Sequence, residues 1–170
     1  LILVGAGNIR ENYKGFEYIV KVLKTIDSRY KVITFGRGKI LKNEIDQEVI
    51  NFGFISNQKK LAKLYSCANI FFAPSVAEAF GKTFAEAQAC GLPVLCFENT
   101  GPEDIIEHRK SGYLAKYKNE ADLSKGLEVC LNTNFDKKYI SDRAKKLFDI
   151  KKTAEQYIDL YKKTLSLKEA

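Results

Sequence analysis

The residues of this sequence best placed to do chemistry are two carboxylates on either side of a glycine loop. Glu78 lies before Gly81 in that loop, and Glu86 lies after it. The apolar run 70–73 predicts a buried strand before the loop, and 83–89 predicts the first turns of a helix after it. The first amides of a helix lack partners within the helix, so a strand and loop that lead into one form a phosphate site. Both carboxylates can then face a ligand at the mouth of the helix.

The residues around this loop form a longer pattern. They are Glu78-Ala79-Phe80-Gly81, then Glu86-Ala87, then Ala89-Cys90-Gly91-Leu92-Pro93-Val94. The pattern resembles the donor-site signature of the retaining glycosyltransferases of family 4, which is Glu-Gly-Phe-Gly, a spacer, and Glu-Ala-x-Ala-x-Gly-x-Pro-Val. Ala79 departs from it where the family usually has Gly. The departure matters only if the position needs a positive φ, which Ala resists.

The resemblance implies roles for both carboxylates and for one lysine. Glu78 would bind hydroxyls of the transferred sugar near the reacting carbon, and it is the candidate catalytic residue. Glu86 would accept hydrogen bonds from the ribose hydroxyls. Lys14, at the start of the first predicted helix, would bind the diphosphate. A cation there opposes the helix dipole unless an anion lies in front of it, and a leaving diphosphate needs positive charge.

The phosphate site lacks one charge that the family often has. Asn8 stands where many members carry a second phosphate-binding Arg. Asn donates a hydrogen bond but has no charge. The missing charge would come from one of three residues among which the sequence does not choose: Arg10, Arg37 and Lys82.

Backbone groups and a second loop complete the implied donor site. The amides of Phe80, Gly81 and Lys82 would add hydrogen-bond donors to the phosphates. The loop Gly53-Phe54-Ile55 matches the family segment beside the base, although Phe54 is equally well read as a core residue. The resemblance implies no metal ion and no cofactor, since the sugar nucleotide is itself a substrate.

Simpler interpretations exist for three of these residues. Thr83 and Glu86 have the spacing of a capping box, in which the glutamate merely bonds the backbone at the helix start. Glu78 could be a solvated loop acid, and Lys14 an exposed lysine. His108, the only histidine, is predicted to be a surface residue rather than a catalyst.

Hydrophobic periodicity predicts alternating strands and helices, and therefore an α/β fold with a doubly wound parallel sheet. The strands are predicted at 1–4, 31–35, 49–52, 70–73, 94–97 and 112–115, with 5–8 turning away from the first. Helices are predicted at about 15–27, at 83–89, at 103–107, around Leu123 to Leu131, at 139–148 and from 150 onward. One more helix is predicted to begin after Ser56 or Asn57, either of which could be its N-cap. This order resembles the donor-binding half of the two-domain GT-B architecture.

Length and composition predict the organisation of the chain. Its 170 residues suit one domain over 1–170, and we expect it to be a fragment whose N-terminal acceptor domain is absent. The helix in 150–170 carries one apolar stripe and is expected to reach toward that domain. The four cysteines, Cys67, Cys90, Cys96 and Cys130, have no metal spacing and are predicted to be reduced core residues.

A net charge of +7 most commonly reflects a solvated surface, and it also suits an anionic partner. A nucleoside-diphosphate sugar fits best, peripheral association with the inner face of a membrane is a second option, and nucleic acid is not favoured because the lysines are not clustered with aromatics. The sequence contains no signal peptide and no apolar run long enough to span a membrane. The cysteines, expected to be reduced, predict a cytoplasmic location.

The resulting expectation is a retaining glycosyltransferase that transfers sugar from a nucleoside-diphosphate sugar to a glycan or lipid-linked acceptor in bacterial cell-surface polysaccharide synthesis. The isolated fragment should be inactive. A non-catalytic nucleotide-binding domain and a GT-B sugar-nucleotide epimerase are the alternatives, and the glutamate signature argues against the epimerase.

Overall fold

The computed structural model describes residues 1–166, in which six parallel strands form one sheet with helices on both faces. The strand order is β3-β2-β1-β4-β5-β6. The strands are β1 Ile2–Asn8, β2 Val32–Arg37, β3 Val49–Asn51, β4 Ile70–Phe72, β5 Val94–Phe97 and β6 Gly112–Ala115. The predicted doubly wound α/β fold is therefore confirmed.

Within residues 1–166, six α-helices and two short 3-10 helices connect and follow the strands. The α-helices are α1 Phe16–Leu23, α2 Gln58–Cys67, α3 Lys82–Ala89, α4 Glu120–Asn132, α5 Lys137–Leu147 and α6 Ile150–Ser166. The 3-10 helices are Asn12–Lys14 and Gly101–Asp104. Asn57 caps α2 by accepting a hydrogen bond from the Lys60 amide, as one of the two predicted caps.

The sheet separates two hydrophobic cores. In β4, Ile70 and Phe72 face the core covered by α1 and α4, and Phe71 faces the core covered by α2 and α3. Parallel strands covered on both faces read as continuous apolar runs, which is why the run 70–73 indicated a buried strand.

The first strand is longer than predicted. Gly5 continues the ladder opposite Phe35, and after a register shift Asn8 pairs with Arg37. A side chain at position 5 would meet the Phe35 ring at 2.0 Å, so the glycine lets that ring pack over the strand. The prediction that 5–8 turns away was wrong because this contact is made by a distant residue.

Two predicted helices are also shorter than expected. The first ends at Leu23 and not near Asp27, because the chain then tightens into turns in which the amides of Thr25 and Ile26 donate three residues back. The side chain of Gln47 donates hydrogen bonds to the carbonyls of Leu23 and Ile26 at this end. The helix predicted at 103–107 is only the 3-10 helix at 101–104, which Pro102 starts at its first turn.

The prediction of four core cysteines is correct for only two. Cys96 and Cys130 are buried, Cys90 is half-buried and Cys67 is exposed. Burial raises the pKa of the Cys130 thiol to about 12, and burial raises the pKa of Cys90 as well. Cys67 is the last residue of α2, where the helix ends and leaves the side chain exposed.

The last helix stands apart from both cores. All residues of α6 are exposed, including the predicted stripe of Tyr157, Ile158, Tyr161 and Leu165. Residues 167–170 lie outside the described part of the chain, so the segment 150–170 is seen only as far as Ser166. Within residues 1–166, no helix combines the length and the apolar character needed to cross a membrane.

Candidate functional site

The candidate site lies where the strand order reverses. β1 and β4 are neighbours in the middle of the sheet, with β2 and β3 on one side and β5 and β6 on the other. In open α/β sheets the connections leave such a pair in opposite directions, and a crevice opens at their carboxyl ends. Lys14 follows β1 and Glu78 follows β4, so both predicted site residues lie at this switch point.

Lys14 and Glu78 form an ion pair across the crevice. The Lys14 Nζ lies 2.6 Å from the Glu78 Oε2, and each side chain is only 17% exposed. The Lys14 ammonium also lies 4.8 Å from the centre of the Tyr13 ring. The simpler interpretations of Lys14 as an exposed lysine and of Glu78 as a solvated loop acid are therefore wrong.

Glycine makes this approach possible. Gly15 has φ of +69°, and a side chain there would lie 1.9 Å from the Pro74 carbonyl oxygen. The Val76 amide donates to the Tyr13 carbonyl at 2.8 Å. The loop after β1 and the loop after β4 are thus in direct backbone contact, and their contact carries Lys14 and Glu78 toward each other.

The loop after β5 holds the other side of the Glu78 loop. The Gly101 amide donates to the Glu78 carbonyl at 2.8 Å, and a side chain at Gly101 would meet the Ala79 carbonyl oxygen at 2.2 Å. Ala79 itself is not among the residues with positive φ. Alanine therefore replaces the family glycine at this position without backbone strain.

The start of α3 leaves amides open to a ligand. Gly81 caps the helix with φ of +86° and offers no side-chain acceptor. The Gly81 carbonyl accepts hydrogen bonds from the amides of Phe84 and Ala85. The amides of Lys82 and Thr83 are therefore the first-turn amides that have no partner within the helix. No side chain caps α3, so the capping-box interpretation of Thr83 and Glu86 is wrong.

Glu86 lies one turn into α3 and faces α2. Its Oε2 accepts a hydrogen bond from the Tyr65 hydroxyl at 3.2 Å. The Tyr65 ring is buried, with edge-on contacts to Phe35 and Phe71, and burial raises the pKa of Tyr65 far above its usual range. The hydroxyl therefore stays a proton donor that orients the carboxylate. Sequence reasoning missed the role of Tyr65, because its spacing makes it one member of the apolar stripe of α2.

The remaining predicted residues surround this centre. The loop Gly53-Phe54-Ile55 joins β3 to α2, and Gly53 accepts a hydrogen bond from the Gly36 amide at the end of β2. Phe54 is 71% exposed, so its interpretation as a core residue is wrong. Phe80 is half-exposed and meets Phe148 edge-on.

The three candidates for the missing charge differ in availability. Arg10 is engaged by Glu44 at 2.6 Å and by the Lys39 carbonyl. Arg37 is exposed, and its strand position pairs with Asn8. Lys82 is exposed at the first position of α3. Of the three, Arg37 and Lys82 are therefore the ones that a ligand could recruit without breaking a contact.

This geometry defines a class of protein. The chain is a doubly wound α/β domain whose candidate ligand site combines a switch-point crevice, a partly buried lysine and an uncapped helix start. Residues 2–147 match the family described as glycosyl transferases group 1, and the chain belongs to that family.

Curated relatives are similar to this chain along most of its length. An uncharacterized glycosyltransferase of Haemophilus influenzae is 27% identical over 159 residues, which cover 86% of this chain and 45% of that protein. A probable sucrose-phosphate synthase of Thermosipho melanesiensis is 31% identical over 157 residues, covering 88% of this chain and 35% of its own length. The chain thus spans less than half the length of these relatives.

A crystal structure shares the fold. HepE of Anabaena in complex with UDP superposes with a TM-score of 0.81 at 17% identity, over 95% of this chain and 48% of that one. The same HepE protein has also been crystallised with UDP-glucose. At 17% identity this likeness shows the fold of the domain alone.

The backbone contact between Gly15 and Pro74 leads to a stability prediction. We expect Gly15→Ala to lower the free energy of unfolding by about 2–5 kcal/mol, because left-handed strain adds to overpacking against a carbonyl. Gly53→Ala is the matched control, since Gly53 has φ of +66° but nothing within 4 Å of the added carbon. It should lose only about 1–2 kcal/mol. Urea unfolding followed by circular dichroism measures both, and equal losses would contradict a rigid contact at Pro74.

Proposed function

We propose that this chain is the donor-nucleotide domain of a retaining glycosyltransferase of family 4. The observation that carries the proposal is the Lys14–Glu78 pair at the switch point, beside the uncapped start of α3. A cation and a row of open amides suit a diphosphate, and a carboxylate next to them suits sugar hydroxyls. The UDP and UDP-glucose complexes of HepE support a nucleoside-diphosphate sugar as the ligand class.

The diphosphate would lie between Lys14 and the first amides of α3. The positive end of the α3 dipole and the Lys14 ammonium would then act on the same charge, which grows as the glycosidic bond breaks. Asn8 would donate one hydrogen bond, and Arg37 or Lys82 would supply the remaining charge. In this arrangement no metal ion and no cofactor takes part.

The two glutamates would serve different parts of the donor. Glu78, released from Lys14 by the diphosphate, would bind hydroxyls of the transferred sugar. Glu86, held by Tyr65, would accept from the ribose hydroxyls, and the loop 53–55 would lie beside the base. A phosphate oxygen of the donor would take the proton of the acceptor hydroxyl, and the sugar would keep its anomeric configuration.

The acceptor would be held by a further domain across the cleft from Glu78. We propose that α6 reaches that domain through its exposed stripe and that residues 1–170 alone bind nucleotide without transferring sugar. Transfer requires both substrates in contact, and half a cleft does not provide this proximity. A radiolabelled transfer assay on the isolated chain tests it, and turnover would refute the two-domain arrangement. A bacterial cell-surface glycan or lipid-linked sugar is the proposed acceptor, and the cytoplasm the proposed location.

The first functional prediction concerns Lys14. We expect Lys14→Ala to weaken binding of nucleoside diphosphates by about 1–3 kcal/mol, the range for a charged hydrogen bond. Calorimetric titration of the full-length protein with UDP, GDP and ADP measures the change. Lys138→Ala is the matched control, because that lysine is 86% exposed and pairs with Asp142 on the surface of α5. Unchanged affinity in Lys14→Ala would contradict the diphosphate site.

The second prediction separates the two glutamates. Glu78→Gln should not weaken the affinity for free nucleoside diphosphate, because the Glu78 carboxylate competes with the diphosphate for Lys14. It should reduce transfer at least about 100-fold, the scale for one electrostatic group at a reacting centre. Glu86→Ala should weaken nucleotide binding by about 1.5–3 kcal/mol through the lost ribose contact. The reverse pattern would show that the two roles are exchanged. A Glu78→Gln protein with full transfer activity would favour a binding domain over an enzyme.

The third prediction assigns Tyr65 as a positioning residue. Without the Tyr65 hydroxyl, the Glu86 carboxylate loses its fixed orientation toward the ribose. We therefore expect Tyr65→Phe to reduce the preference for UDP over 2′-deoxy-UDP by about threefold to tenfold, the range that corresponds to the loss of one hydrogen bond. The preference is a ratio, and a general loss of stability does not change it. Tyr113→Phe is the matched control, since the buried Tyr113 donates to Asp122 at 2.9 Å in the same way, away from the site. Its ratio should equal that of the wild type.

A further inference from the structure

One margin of the sheet is incompletely covered. In the described part of the chain, β3 is the edge strand and pairs only with β2. Helix α2 lies beside it and leaves a cavity of about 280 Å³, lined by Phe52, Ile55, Lys60, Lys63, Leu64 and Cys67. The floor of this cavity is apolar, and two lysines stand at its wall.

Large apolar side chains are exposed along the same margin. Ile50 is 39% exposed and Phe52 is 42% exposed, and as alternate residues of one extended segment they point to the same face. The Lys60 Nζ lies 5.9 Å from the centre of the Phe52 ring. We call Ile50, Phe52, Lys59, Lys60 and Lys63 the edge patch.

The edge patch is basic without compensation. No aspartate or glutamate occurs between positions 49 and 77 of the sequence, and α2 carries three lysines and no acid. Among residues 1–166, no carboxylate forms an ion pair with these lysines, whereas Lys21, Lys31, Lys110 and Lys138 each have one. The exposed charge is therefore available to a partner.

The opposite margin is nearly neutral. Helix α4, which packs beside β5 and β6, carries Glu120, Asp122 and Glu128, and these balance Lys125 and the two lysines just before the helix, Lys116 and Lys118. The two ends of the sheet thus differ in charge as well as in exposed apolar area. A charged planar surface would orient the molecule with β3 and α2 toward it and α4 away from it.

We infer that the edge patch docks on an anionic lipid membrane. Aromatic and aliphatic side chains enter the boundary between headgroups and acyl chains, and lysines beside them remain at the level of the lipid phosphates. The combination of Ile50 and Phe52 with three unpaired lysines has both parts. A nucleic acid backbone would satisfy the lysines but would leave the apolar floor unused.

The position of the edge patch gives the docking a consequence. The loop 53–55 leads from β3 to α2 and so borders both the edge patch and the proposed donor site. A membrane bound to the edge patch would lie next to the rim of that site. This placement suits a lipid-linked acceptor, although membrane binding itself does not depend on the proposed transfer reaction.

The test is flotation of the full-length protein with vesicles. We expect binding to phosphatidylcholine vesicles containing 30% phosphatidylglycerol, little binding to pure phosphatidylcholine, and weakening as salt is raised. Lys59→Gln, Lys60→Gln and Lys63→Gln together should reduce the partition coefficient on the order of 100-fold, from about 1 kcal/mol for each lysine near the surface. Ile50→Ser with Phe52→Ser should reduce it while salt dependence remains.

The matched control removes the same charge from the opposite margin. Lys116→Gln, Lys118→Gln and Lys125→Gln together should change the partition coefficient by less than about twofold, and melting temperatures show that each variant is folded. An equal loss in this control would assign the binding to net charge and overturn the inference. So would the absence of binding to anionic vesicles, or a dimer in sedimentation velocity that Phe52→Ser abolishes, since that result would assign the edge patch to a second copy.

Discussion

The ion pair between Lys14 and Glu78 is the interaction on which the candidate site depends. It joins the loops after β1 and β4, the two strands at the switch point, and both side chains are mostly removed from water. Desolvation offsets much of the attraction in such a pair, so its net contribution to stability is small. Removal of either partner, however, leaves an uncompensated charge in the crevice. The pair therefore serves mainly to fix the positions of two charges in the crevice, and it adds little to the free energy of unfolding.

Close backbone approach is the constraint that produces this arrangement. Gly15 lies against the Pro74 carbonyl, Gly101 against the Ala79 carbonyl, and Gly81 beside Phe84 and Glu78. Gly15 and Gly101 let one loop rest on another, and Gly81 lets its own loop pack against the first turn of α3, at positions where a side chain would clash. Hydrogen bonds from Val76 to Tyr13 and from Gly101 to Glu78 then fix the loops. The catalytic candidate is thus positioned by main chain on both sides, and its side chain needs little further support.

The sequence predicted the parts of this structure that are local. The alternation of apolar runs and turn residues located six strands. The signature placed Glu78 and Gly81 in a loop between a strand and a helix, and Glu86 in that helix. It did not predict features that depend on distant residues. The Gly-Ala-Gly run after Val4 has the local composition of a turn, yet Phe35 packs on Gly5 and the strand continues to Asn8. The hydroxyl of Tyr65 reaches Glu86 from another helix, and within α2 alone that tyrosine is only one member of an apolar stripe.

The charge balance of the crevice shows how the site would change when a diphosphate enters. The Lys14 ammonium and the Glu78 carboxylate neutralise each other at 2.6 Å, so the crevice offers less positive charge than its lysine suggests. Under the proposed function, an entering diphosphate would compete with Glu78 for the ammonium and would be helped by the open amides of α3. As Lys14 turned to the phosphates, Glu78 would lose its partner and would need new donors. Sugar hydroxyls are such donors, so one shared lysine would couple phosphate binding to sugar binding.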